Sequence, residues 1–217
     1  MPKKESPLHQ LNHYLPEGSF EDVAFYLIEY KVHLTVTRER LTKLGDYRNK
    51  HLDKNHRISV NGNLNKFSFL ITLLHELGHL VAYEKYGNRI QAHGTQWKNE
   101  YGNILARFIS KKIFPLDIEK ELLRTLRNPA ASSCAEAPLL RILKKYDPHK
   151  PGVFLLEELP PESLFRFKNE RIYKKGNKQR TRFLCRDMAN NRLFLFSPVT
   201  EVEWVRHEAG KDFTVNQ

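Results

Sequence analysis

Apolar positions along this chain follow two different periods, and the change falls near residue 150. Before it, apolar residues mostly recur every three or four positions, as on one side of a helix; after it, they alternate in short runs. Ser19 reads as an N-cap with Glu21 and Asp22 in the turn that follows, opening a helix to about Tyr30. Val32, Leu34 and Val36 then alternate with polar residues as in a strand, KLGDYR places a turn at Gly45-Asp46, and Ile58 and Val60 mark a further strand closed by NGNLN. A long helix is predicted from about Lys66 to Tyr86, with Gly87 as its C-terminal cap. Thr95 is expected to cap a helix from Gln96 to about Lys112, and LDIEKELLRTLR and APLLRILKKYD read as two more. DPHKPG packs two prolines and a glycine into six residues and divides a domain over 1–147 from a module over 151–217. In that module SLFRFK, RIYKK, QRTRFLCR, RLFLFS and TEVEWV read as five short antiparallel strands. The fold class expected is α+β: a small sheet with several helices, then a small antiparallel β module.

The long helix carries the candidate chemistry. At 3.6 residues per turn, Ser68, Thr72, His75, Glu76, His79 and Tyr83 fall in one arc about 100° wide, and the remaining surface is almost wholly apolar. Such a helix is buried on most sides and presents one polar stripe. His75 and His79, at i and i+4, stand one above the other and can reach a single ion. Glu76 lies just off that line, placed to touch a water on the metal rather than the metal, which is the mechanical content of an HExxH motif. A catalytic zinc takes three protein ligands and leaves one position open. The metzincin pattern fails, because Ala82 and Lys85 stand where it needs glycine and histidine. Two residues could complete the set. His93 precedes a helix start in AHGTQW, where Gly94 frees the loop to turn the imidazole inward; Glu100 lies inside the next helix, at a gluzincin's spacing. His93 is the preferred of the two.

LLHELGHLVAYEKYG, followed by AHGTQW and preceded by LGDYR and NGNLN, resembles the SprT family of zinc metalloproteases over about Glu17 to Ile113. The resemblance implies a zincin-like domain in which His75, His79 and His93 hold one Zn²⁺ and Glu76 is the catalytic base. It also implies protein substrates, because the eukaryotic Spartan branch cleaves proteins crosslinked to DNA. Many members carry a four-cysteine zinc ribbon near the C-terminus. Only Cys185 stands in the corresponding region here, so no second zinc is expected.

Charge adds a partner class. The net charge is +11 and the pI about 9.6, which favours a polyanion such as nucleic acid. Ten lysines and arginines fall between Arg166 and Arg192, opposed only by Glu170 and Asp187. RIYKKGNKQRTR reads as a hairpin with a cationic tip, making Arg171, Lys174, Lys175, Lys178, Arg180 and Arg182 the candidate nucleic-acid contacts, to DNA (single-stranded favoured) or RNA. The interleaved phenylalanines are expected to form the module's own core, because so small a unit needs them inside. Two distant cysteines, Cys134 and Cys185, a start without a signal-peptide core and an apolar stretch too short to span a bilayer point to a cytoplasmic protein without a membrane segment. The expected function is a zinc-dependent metallopeptidase of SprT-like type. The alternative is a nucleic-acid-binding protein whose zinc site is structural or inactive.

Overall fold

The computed structural model of the chain describes residues 7–40, 42–50, 55–131, 134, 136–168 and 170–205. The fold is mixed α+β, with two sheets. The chain divides within DPHKPG into two compact units, Met1–Pro148 and His149–Gln217. Among the described residues no helix is long and apolar enough to cross a membrane.

In the first unit, α1 (Phe20–Glu29) starts where predicted, but Ser19 does not cap it: its hydroxyl donates to the Pro16 carbonyl at 2.7 Å. Asp22 in the first turn is buried and paired instead with Arg107 and Lys111. Strands β1 (His33–Thr37), β2 (Gly45–Arg48) and β3 (Arg57–Asn61) form a sheet in the order β1-β3-β2, with β1 parallel and β2 antiparallel to β3. The turn expected at Gly45-Asp46 is therefore the start of a strand. Gly45 pairs with Val60, and the Asp46 carboxylate binds Lys43 and Arg48 rather than its own backbone.

Helix α2 (Lys66–Tyr86) has the predicted bounds. The Asn65 side chain accepts from the Ser68 N–H at 2.9 Å at one end, and Gly87 takes the left-handed region at φ 72° at the other. Every residue from Ser68 to Gly78 is buried, so the helix is the axis of the unit. Helix α3 (Thr95–Ser110) lies along it, capped by Gly94 rather than by Thr95, which is its first residue. The two helices approach closely at Gly78, where a Cβ would lie 2.8 Å from Cβ of Tyr101. Phe69, Leu73 and Leu77 of α2 join Trp97 and Phe108 of α3 in the core, each contributing roughly 1.5–3 kcal/mol of burial. Helices α4 (Leu116–Thr125) and α5 (Ala137–Leu143) complete the unit, α5 ending earlier than predicted in a 3-10 turn over Lys144–Tyr146.

Among its described residues the second unit is one antiparallel sheet of six strands, β4 (Val153–Leu155), β5 (Leu164–Phe167), β6 (Arg171–Gln179), β7 (Arg182–Asp187), β8 (Leu193–Phe196) and β9 (Glu201–Val205), in the order β4-β9-β5-β6-β7-β8. The strand not foreseen is β4, whose three residues are too few to show an alternation. As expected, the unit has its own core, with Phe165, Tyr173, Cys185 and Phe196 packed together and Phe167 and Phe183 against them, but Phe194 is a correction: it is exposed.

Candidate metal centre

Successive turns of α2 bring His75 and His79 to one side, and the turn before α3 brings His93 to meet them. Nε2 of His93 lies 3.0 Å from Nε2 of His79 and 3.3 Å from Nε2 of His75. The ring reaches this position because His93 itself adopts the left-handed region, at φ 59°. The freedom expected of Gly94 is therefore used one residue earlier. Gly94 serves another purpose: a Cβ there would lie 3.0 Å from the Gln91 carbonyl, which accepts the Gly94 N–H and closes the turn. Trp97 is fully buried beneath the cluster, its ring centroid 4.7 Å from those of His75 and His93 and 5.2 Å from that of His79. Tyr47 on β2 lies parallel to the His79 ring from another side.

Burial, reinforced by the repulsion of neighbouring imidazolium charge, pushes the pKa of His75 down to about 3 and that of His79 to about 4, and burial lowers that of His93. All three rings are neutral at pH 7 and carry ligating lone pairs. Three converging neutral imidazole nitrogens could hold a metal ion, and suit a borderline cation better than Ca²⁺ or Mg²⁺, which prefer oxygen. Glu100 does not take part. Its carboxylate accepts from Lys85 at 2.7 Å and from the Tyr86 hydroxyl at 3.2 Å, and it is not in the histidine cluster. His93 is thus the residue that closes the triad.

Glu76 is 6% exposed and lies against β2. A Cβ on Gly45 would come within 2.4 Å of Glu76 Oε1, so the absent side chain at 45 makes the space the carboxylate occupies. Gly45→Ala is expected to lower stability by about 1–3 kcal/mol through this overlap, measured by chemical denaturation, and to displace the carboxylate. Burial, with the Asp46 charge second, raises the Glu76 pKa to about 8, against the opposing pull of Arg40, Lys43 and the Tyr47 N–H. Without metal the folded chain therefore holds a proton that the unfolded chain, at the ordinary 4.5, gives up. That contribution to stability is full below pH 4.5 and is lost as the pH rises through 8. Metal-free Glu76→Gln should accordingly melt above metal-free wild type at pH 9, by a few degrees for a gain on the order of 1–2 kcal/mol, and show no such gain at pH 4.

A second network fixes the Tyr47 side of the site. The Tyr47 hydroxyl (2.9 Å) and the Lys50 N–H (3.3 Å) both meet Nδ1 of His56, and Nε2 of His56 faces Glu84 at 3.2 Å. A backbone N–H can only donate, so Nδ1 accepts and the His56 proton sits on Nε2, pointing at the carboxylate. Sequence reasoning does not find His56, Glu84, Tyr47 or Trp97. The one available signal is the large apolar residue four positions after His93. Tyr47, Arg48, Arg57, His79, Tyr83 and Trp97 line an open cleft of about 490 Å³ beside the cluster.

No family model matches the chain. No curated protein and no solved structure matches it either. The site stands on the placement of its own side chains.

The candidate nucleic-acid contacts divide. Lys175 is a correction: it is 4% exposed, its ammonium donates to the carbonyls of Leu159 at 2.5 Å and Glu157 at 3.4 Å, and it lies over the Phe183 ring. Alternation along β6 puts it on the same face as Tyr173, towards the core. Lys174 pairs with Glu162 at 2.7 Å, and Arg171 lies 3.7 Å from the Asp187 carboxylate. Lys178, Arg180 and Arg182 are exposed at the tip joining β6 to β7, and no carboxylate faces them among the described residues.

Proposed function

We propose that this chain is a zinc-dependent peptidase of SprT-like type with a zincin-like first unit. The observation that carries the reading is the convergence of three neutral imidazole nitrogens, two from one buried helix and one from a neighbouring turn, all within 4.8 Å of one another, with that of His93 3.0 Å and 3.3 Å from the other two. Zinc, when bound, supplies a Lewis acid that polarises a carbonyl and makes water acidic near neutral pH. The chain's own residues do the rest. Trp97 and Tyr47 hold the imidazole rings in place. Glu76 accepts the proton of the attacking water on its carboxylate and passes it to the leaving amine. Among the described residues strand β2 pairs only with β3, so its open edge can take an extended substrate backbone by strand addition. The cation-rich tip at Lys178, Arg180 and Arg182 would hold the enzyme on single-stranded DNA or on RNA, with nucleic-acid-associated proteins as substrates in the cytoplasm.

That tip also favours the second reading, a nucleic-acid-binding protein whose metal site is structural or inactive. Elemental analysis beside digestion of an unfolded protein, with and without single-stranded DNA, separates the two. One zinc per chain with cleavage supports the peptidase; full zinc with no cleavage in either condition overturns it. Changing Lys178, Arg180 and Arg182 together to Glu should leave the zinc content unchanged. It should weaken single-stranded DNA binding at least about 10-fold and flatten its salt dependence by about two units of slope, as read from anisotropy titrations.

A further inference from the structure

We propose that Glu136 is a positioning residue for the metal centre, reaching His75 Nδ1 through one buried water. The inference rests on the reading of His75 as a ligand. Nδ1 of His75 and Oε2 of Glu136 are both buried, and neither has a hydrogen-bond partner among the described residues. Burying such an atom is costly unless it is satisfied. Both residues line the same small cavity, walled otherwise mainly by apolar side chains including Ile71, Leu105, Leu122 and Leu139. About 20 Å³ of it is open to the centre of a water molecule, where roughly 10–15 Å³ is enough for one. A water there accepts from the His75 Nδ1–H and donates to the Glu136 carboxylate, and two polar partners suffice to hold it. The consequence is a tautomer. With its proton fixed on Nδ1, His75 keeps the Nε2 lone pair directed at His79 and His93, and the ring cannot turn. Ligating histidines ordinarily have such a partner. In this chain it comes from the start of α5, 61 positions from His75 along the sequence.

The test is zinc affinity, by competition with a chromogenic chelator, together with the ¹⁵N tautomer state of His75 in the metal-free full chain. Glu136→Ala should weaken zinc binding about 10-fold and release the ring to a mixture of tautomers. Glu136→Gln, which keeps an acceptor oxygen, should bind zinc nearly as wild type and retain the Nδ1–H form. Cys134→Ala, altering the same cavity without touching the hydrogen bond, should leave affinity unchanged. Glu136 also precedes α5, so a purely structural role would lower the melting temperature of Glu136→Ala and leave affinity and tautomer alone. That result overturns the proposal, as does a wild-type His75 protonated on Nε2. Zinc bound equally by wild type and Glu136→Ala defeats the role of Glu136 alone. A wild type that takes up no zinc defeats the peptidase reading and the role of Glu136 with it.

Discussion

Glu76→Gln is expected to keep its zinc and to lose hydrolysis of an unfolded protein by a factor of about 10² to 10⁴. The amide fills the volume of the carboxylate, and the space above Gly45 accepts it. The Tyr47 N–H that reaches Glu76 can still donate to an oxygen there. His75, His79 and His93 do not depend on residue 76 for their mutual placement, so metal content by elemental analysis should match wild type. Proton acceptance is what the amide lacks. In the metal-free chain burial raises the pKa of Glu76 to about 8, and a cation held by the neighbouring histidines would lower it. On the proposed peptidase reading the group is thus tuned towards neutrality, where a general base works best. Hydrolysis unchanged in Glu76→Gln would remove the carboxylate from the mechanism.

His93→Ala should weaken zinc binding by at least about 100-fold, since loss of a direct ligand exceeds the 10–100-fold typical of an outer partner, and activity should fall with it. Glu100→Ala should retain the metal. Its carboxylate is already engaged by Lys85 and Tyr86, so that variant answers in stability instead. Equal metal loss in the two variants would contradict the geometry of the triad. The pair of measurements also separates a ligand effect from general damage, because both residues precede or lie within the same helix, α3.

How much of this is legible in the sequence depends on how local the cause is. Helix α2 is readable to its ends because Asn65 and Gly87 punctuate it and its polar residues fall in one stripe. The pairing of His75 with His79 follows from helical spacing. That His93 closes the set, and Glu100 does not, depends on partners such as Lys85 that only the packing of α2 on α3 supplies. Gly45 misleads for a physical reason: a glycine beside an aspartate signals a turn, but here it makes room for a carboxylate on another element. Ser19 and Thr95 are good capping residues by type, yet one bonds back to Pro16 and the other stands one position too late. Counting charge does not distinguish the faces of a strand, and so Lys175 reads as surface although period two puts it inside. His56 and Glu84 leave no trace, because their relation exists only once β3 and α2 are side by side.

The close approach of α2 and α3 at Gly78 has a consequence for drift in this sequence. The spacing of those helices sets how far Trp97 stands from the three rings it supports, so a single hydrogen atom gauges the bite of the site. A methyl group at 78 would press on Tyr101 and on the Trp97 indole, 3.2 Å away, and spread the claw from behind. If the three rings hold a cation as proposed, its capture can thus be damaged at a position that never meets it, and position 78 belongs to the pocket's tolerances as much as its lining does.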